Sequence, residues 1–208
     1  MMKEVALLIF QKNPELGKVK TRLGATLGDE KALEIYHQLI DITLKEASKT
    51  SFETFVFYSS FLPEENSFGR IKRKVQKGDD LGEKMKNAFQ EVLALGYQKA
   101  IIIGTDCPEI HAGILNQAAM ELENNELVIG PAEDGGYYLL GMKSLQRELF
   151  EEVAWSTESV LKQTLEKAES IGLKVSLLES LNDIDTEEDL QKLISKKPEY
   201  EPIFGHHS

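Results

Sequence analysis

The sequence predicts an α/β protein, a three-layer α/β/α sandwich built on a mostly parallel central sheet. Three observations carry this. First, Val5 to Phe10 is a continuous apolar run of strand length and Lys99 to Gly104 a second buried strand around Ala100 to Ile103, the pattern of parallel strands covered on both faces. Second, such strands alternate along the chain with helix-patterned segments, the signature of βα units. Third, the Gly, Pro, Lys and Asp residues of unusual spacing fall directly after strands, where open α/β sheets bind ligands.

Element by element, Val5–Phe10 is the first buried strand. From Asp29 to Ala47, Ala32, Leu33, Ile35, Tyr36, Leu39, Ile40 and Leu44 recur at helical spacing. Glu53–Tyr58 is a β-branched and aromatic strand, Phe61–Phe68 a loop around Pro63, and Ile71–Lys77 a short basic edge strand. Leu81–Leu95 is an amphipathic helix closed by Gly96. After the strand at Lys99–Gly104 come a helix at Ile114–Leu122 and a strand at Glu126–Gly130. An Asp134-Gly135-Gly136 turn then leads into the strand Tyr137–Met142. A helix at Ser156–Ile171, a strand at Lys174–Leu178 and a helix at Thr186–Ile194 complete the pattern, with Thr186 and Asp189 spaced as a capping box. Residues 1–195 read as one domain, and 196–208 as a polar, Pro-containing tail ordered by docking.

Composition narrows the class. A chain of 208 residues with 41% hydrophobic side chains can bury one sizeable core. The single cysteine, Cys107, leaves no internal disulfide and no multi-cysteine metal cluster. No apolar run approaches the ~20 residues of a membrane span, and the N-terminus lacks a signal-peptide pattern, so a cytoplasmic location is expected. The net charge of -11 argues against nucleic acid as a partner, because duplex binding depends on neutralising phosphates with Lys and Arg. That charge is unevenly spread: residues 1–80 sum to +1 and residues 81–208 to -12.

Five segments could carry chemistry. Lys12 to Arg22 sets Lys12, Gly17, Lys18, Lys20, Thr21 and Arg22 just beyond the first strand. Point charges, a guanidinium and flexible backbone suit a polyphosphate, although a solvated basic loop has the same composition. Gly78-Asp79-Asp80-Leu81-Gly82 opens a helix and suits close approach of a ligand, whereas helix capping alone would explain its acids. Asp106, in Gly104-Thr105-Asp106-Cys107-Pro108, stands at a strand exit as a natural Mg²⁺ carboxylate or as a helix N-cap. Glu133 and Asp134, with Gly135 and Gly136, form a polar turn that also reads as a hairpin connection. Asp183 and Asp185 precede the last helix and are free to point elsewhere. Trp155 suits stacking on a ligand as well as closing the core. The four histidines, His37, His111, His206 and His207, form no zinc or Ser/His/Asp arrangement.

In order, these motifs resemble the GT-A-like superfamily of nucleotide-dependent (nucleotide-diphospho-sugar) transferases, and most closely its bacterial radical-SAM/selenodomain-associated transferase group. The resemblance rests on Pro14-x-x-Gly17-x-Val19-Lys20-Thr21-Arg22-Leu23, Gly78-x-Asp80-Leu81-Gly82-Glu83, Gly104 to Pro108, Gly130-Pro131-x-x-Asp134-Gly135-Gly136-Tyr137, Trp155-Ser156-Thr157 and Asp183-x-Asp185-Thr186. It spans residues 3–194. The chain is similar, more distantly, to 2-phospholactate guanylyltransferases and molybdenum-cofactor nucleotidyltransferases. It departs from sugar-nucleotide pyrophosphorylases in lacking their paired-glycine loop and a D-x-D triplet.

The resemblance implies a Mg²⁺- (or Mn²⁺-) dependent transferase that takes a nucleotide, an NTP or a nucleotide sugar, and a small-molecule acceptor. Lys12, Gly17, Lys20, Thr21, Arg22, Gly78, Asp80, Leu81 and Gly82 would bind the nucleotide, with Lys20, Arg22 and Asp106 catalytic. Asp106 and Asp185 would hold the metal. Pro108, Asp134, Gly135, Gly136 and Trp155 would face the acceptor. Nucleotidyl transfer with release of pyrophosphate is the most concrete form; glycosyl transfer and a non-catalytic nucleotide-binding module are the alternatives.

Overall fold

A computed structural model describes residues 3–64 and 71–205. Seven strands form one sheet: β1 (Lys3–Gln11), β2 (Glu53–Tyr58), β3 (Lys72–Val75), β4 (Tyr97–Ile103), β5 (Leu127–Pro131), β6 (Tyr137–Met142) and β7 (Val175–Leu177). They lie side by side in the order β3-β2-β1-β4-β6-β5-β7. All neighbouring pairs are parallel except those of β6, which runs antiparallel to both β4 and β5. The helices are α1 (Thr21–Leu27), α2 (Asp29–Ser48), α3 (Leu81–Leu93), α4 (Ala112–Asn124), α5 (Val160–Ser170), α6 (Glu187–Lys196) and α7 (Glu201–Phe204).

The alternation along β1 assigns the two faces of the sheet. Val5, Leu7 and Ile9 pack with Tyr36, Ile40 and Leu44 of α2 and Ile114, Leu115 and Leu122 of α4. Ala6 and Leu8 turn the other way, onto Met85, Phe89 and Val92 of α3 and Ala168 of α5. Period-two side chains buried on both faces produce the unbroken apolar run expected of a central parallel strand.

A third cluster positions the site. Helix α2 buries a second stripe, Ala32, Ile35 and Leu39, against Leu23 of α1, Ile184, Leu190 and Leu193 around α6, and Phe204 of α7. The start of α1 and the segment before α6, far apart in sequence, are thereby held together.

Two elements differ from the sequence reading, and two others follow it. Helix α1 was not anticipated: it is two turns long, contains Gly24 and buries only Leu23, so no periodic stripe announces it. Helix α5 begins at Val160 rather than Ser156, because Ser156 takes φ 63° and residues 156–159 form a turn of their own. In that turn the Thr157 hydroxyl donates to the Ala154 carbonyl. Helix α6 carries the expected box: Thr186 accepts from the Asp189 N–H, and Asp189 accepts from the Thr186 N–H. The tail is docked, with Phe204 buried and the Tyr200 hydroxyl donating to the Pro108 carbonyl at 2.8 Å. His206 and His207 lie outside the described residues, as does the latter part of the Phe61–Phe68 loop. Among the described residues no helix is long and apolar enough to cross a membrane.

Candidate functional site

The carboxyl ends of β1 and β4 are neighbours in the sheet, with Ile9 paired to Ile103. The loops that leave them, Lys12–Lys20 and Gly104–His111, therefore emerge side by side. Asn13, 3% exposed, ties the first loop to the exit of β2. Its N–H donates to the Ser59 hydroxyl, its side-chain amide donates to the Phe61 carbonyl, and its oxygen accepts from Ser60 N–H and Ser59 Oγ. Tyr36 of α2 holds the same loop from below. Its hydroxyl accepts from the Lys12 N–H at 2.9 Å and from Thr105 Oγ1 at 3.2 Å, and donates to the Lys12 carbonyl. Burial pushes the Tyr36 phenol up to about 12, so it remains a neutral bridge between the two loops.

Lys20 closes the arrangement. It sits at φ 47°, in the left-handed region, immediately before α1. There its ammonium lies 2.5 Å from Asp106 Oδ1 and 3.0 Å from Asp185 Oδ1. Arg22 reaches Asp185 Oδ2 at 3.9 Å from the other side. The Lys20 side chain is 4% exposed, whereas Asp106 and Asp185 are 40% and 51% exposed: the ammonium is sunk between carboxylates that open outward. Burial alone would lower the Lys20 pKa. The charges of Asp106 and Asp185 outweigh it and hold the ammonium above its usual value. Burial likewise raises Asp185, but Lys20, Arg22 and Lys12 prevail and hold it below the usual carboxylate range. A cavity of about 120 Å³ opens here, lined by Lys12, Lys18, Lys20, Thr21, Arg22, Tyr36, Asp106 and Asp185. A roomier one of about 610 Å³ lies at the opposite end of the sheet, between the last turns of α2 and the start of β2, and contains none of these groups.

The structure thus gathers Lys12, Lys20, Thr21, Arg22, Asp106 and Asp185 around one cavity. The remaining candidates lie off it. Gly17 (φ 71°) backs onto the Asp29 carboxylate. Asp80 caps α3, accepting from the Glu83 N–H at 2.8 Å, while Glu83 accepts from the Asp79 N–H. Gly82 lies under Trp155, since a Cβ there would sit 2.1 Å from the indole nitrogen, and Trp155 stacks on Phe150. Leu81 is exposed beside them, and Gly78 turns into the same helix start at φ 138°. Asp134, Gly135 and Gly136 form the β5–β6 hairpin loop, where Asp134 Oδ1 accepts from the Gly136 N–H. Gly135 (φ 88°) presses on the Glu158 backbone, and Pro108 is buried beneath Tyr200.

Three participants escaped the sequence reading: Asn13, Tyr36 and Thr105. Tyr36 stands in an apolar helical stripe and reads as core; Asn13, directly before Pro14 at a strand exit, had a turn signal. Asp183, noted in the sequence, is half-buried behind the pair. Burial and then the Asp106 charge push its carboxyl up to about 7 against the pull of Lys20, with Asp134 and Asp185 adding to the rise.

The architecture, with its mostly parallel sheet and one reversed strand, is the nucleotide-diphospho-sugar transferase fold shared by GT-A-like transferases and cytidylyltransferases. The crystal structure of a protein from Desulfovibrio desulfuricans G20, provisionally assigned as a nucleotide-diphospho-sugar transferase, matches with a TM-score of 0.89 and 32% identity over 96% of this chain and 91% of that one. Fold-level likeness extends to the inositol-1-phosphate CTP transferase of T. maritima (TM-score 0.58, 14% identity, 94% and 97% covered). It extends also to Rv0371C of Mycobacterium tuberculosis H37Rv, crystallised in complex with manganese (TM-score 0.51, 14% identity, 94% and 100% covered). The chain belongs to the family described as "Uncharacterized protein conserved in bacteria (DUF2064)", whose model matches residues 43–157. No curated protein sequence matches it.

Proposed function

We propose that the protein is a nucleotide-utilising transferase, dependent on Mg²⁺ or Mn²⁺, that moves a nucleotidyl group from an NTP to a small acceptor and releases pyrophosphate. The observation that supports this most is the meeting of Lys20 with Asp106 and Asp185 beside Lys12, Lys18 and Arg22. Cations able to neutralise a polyphosphate and carboxylates able to hold a metal share one cavity.

The donor set fits a small, hard divalent ion. Asp106 Oδ1 and Asp185 Oδ1 already converge on one cation, and Mg²⁺ is typically bound by one or two carboxylates together with substrate phosphates and water. Bound there, the ion would supply charge neutralisation at the phosphate oxygens. The chain's own residues do the rest. Lys12, Lys20 and Arg22 bind and orient the phosphates, and Tyr36 with Asn13 fixes the loop that carries Lys12. An acceptor oxygen attacks the α-phosphorus; the bond from that phosphorus to the oxygen bridging to the β-phosphate breaks, and pyrophosphate leaves with the bridging oxygen. Positioning and electrostatics account for most of such catalysis.

Glycosyl transfer from a nucleotide sugar is the second reading, favoured by the assignment of the 32%-identical D. desulfuricans relative. In it the same cavity holds a diphosphate leaving group. Incubation with each NTP and each common nucleotide sugar, with and without Mg²⁺, separates the two. Pyrophosphate from an NTP supports the first, free nucleoside diphosphate from a sugar nucleotide the second. A nucleotide-induced rise in melting temperature without turnover points to a binding module, and no response to any nucleotide overturns all three.

A further inference from the structure

The position of Lys20 says how the divalent ion enters. One ammonium touches an oxygen of both carboxylates, 2.5 Å from Asp106 Oδ1 and 3.0 Å from Asp185 Oδ1, and it is buried with a 4% exposed side chain. A Mg²⁺-sized ion bridging the same two groups needs their oxygens at about 2.1 Å. An ammonium held against those oxygens would then lie within a few ångströms of a dication, a repulsion that the partly buried setting screens poorly. The two cations therefore compete for the same oxygens.

We infer that Lys20 is a built-in counter-ion that occupies the place between Asp106 and Asp185 in the nucleotide-free protein and exchanges with the divalent ion, moving onto the phosphates as the metal takes the carboxylates. The inference rests on the nucleotide-transferase reading for its purpose, but its first half concerns only this chain and a metal ion. Three features support it. Lys20 also lines the cavity beside Lys12, Lys18 and Arg22, so a short swing of its long side chain keeps it among groups that would contact an anion. Its backbone is held in the left-handed region at φ 47° immediately before α1, a conformation that a non-glycine residue keeps only where its surroundings hold it there. The third cluster fixes both anchors, since Leu23, three residues after Lys20, and Ile184, next to Asp185, belong to it, so the meeting does not depend on a mobile surface side chain.

Two consequences follow from the linkage. Metal alone binds weakly, because it must expel a lysine that then has no partner. Metal and polyphosphate bind cooperatively, because the phosphates give that lysine a new one, and the coupling is reciprocal. The ion thus arrives with the nucleotide, and the carboxylates do not collect free divalent ions between turnovers.

The test is Mn²⁺ binding without nucleotide, read by the electron paramagnetic resonance signal of free Mn²⁺ or by calorimetry, on the wild type, Lys20→Met and Lys20→Met with Asp106→Asn. Lys20→Met is expected to bind Mn²⁺ at least about tenfold more tightly than the wild type, and the double variant to lose that gain. Equal or weaker binding by Lys20→Met overturns the exchange: it would mean that the lysine holds the carboxylates in place for the metal. Lys20→Gln serves as a second uncharged variant, with circular dichroism melts of each. If neither folds, the Lys20 Nζ resonance of the ¹⁵N-lysine-labelled wild type is followed on adding Mg²⁺ with inorganic pyrophosphate: a shift is expected, and no change overturns the exchange. Because Mn²⁺ alone is the probe, a failed nucleotide screen would sink the proposed function without touching this result, and the converse holds.

Discussion

Two strand-to-helix loops at the same end of the sheet, β1–α1 and β3–α3, looked alike in sequence, since both mix glycine with charge directly after a strand. They use their charges in opposite ways. In the β3–α3 loop the acids are satisfied within four residues: Asp80, the N-cap, accepts from the Glu83 N–H, and Glu83 accepts from the N–H of Asp79 just before it. In the β1–α1 loop, α1 has no side-chain cap, and Lys20 makes its ion pairs with Asp106 and, 165 residues away, Asp185. Charge with a local partner stabilises a helix end. Charge held for distant partners, at the cost of burial, marks a site.

The sharpest way to break this comparison is Asp106→Asn. Turnover in the pyrophosphate assay should fall at least about a hundredfold with the circular dichroism spectrum unchanged; retained turnover would remove Asp106 from the chemistry. Next is the loop anchor. Asn13→Ala removes the side-chain bonds to the partly exposed Ser59, Ser60 and Phe61 and should cost about 1–2 kcal/mol in urea unfolding. In the other loop, Gly82→Ala sets two effects against each other. Alanine favours a helix by about 1 kcal/mol, but the new methyl collides with the Trp155 indole, and overpacking costs about 1–3 kcal/mol. A net loss with a shift in the emission of Trp155, the only tryptophan, is expected; a gain in stability would show that the indole moves freely.

Smaller effects separate capping from charge. Asp80→Ala should lose about 1 kcal/mol of stability, whereas Asp80→Asn, which still caps, should lose only a few tenths. Equal losses from both would mean that the negative charge matters, not the cap. Smallest of all is Lys18→Ala: its pair with Glu15 is an exposed i,i+3 contact, and the melt should move by less than about 0.5 kcal/mol.

The legible parts of the molecule are those with local causes. Continuous apolar runs marked β1 and β4, a single stripe marked α2, and Thr186 with Asp189 marked the start of α6. Helix α1 was hidden because two turns with one buried residue carry no period. The reversal of β6 was hidden because a strand's direction depends on which neighbour it pairs with. Tyr36 was read as core because its ring is core, and only its hydroxyl belongs to the site. The Gly78–Gly82 and Asp134–Gly136 segments stand at strand exits as expected, and Trp155 stands before α5, yet each is occupied with its own packing and none lines the cavity.

By itself, the sequence determined the α/β class, the strands and most helices, and the excess of base before residue 80 against acid after it, because hydrophobic period and charge are properties of the chain. Only the tertiary structure decided that Lys20 meets Asp106 and Asp185, that Tyr36 braces Lys12, and that Asp80 is spent on a helix end. Such pairings depend on which loops emerge side by side. That is set by strand order and by the packing of Leu23 on Ile184, contacts between residues far apart in sequence that no local pattern encodes.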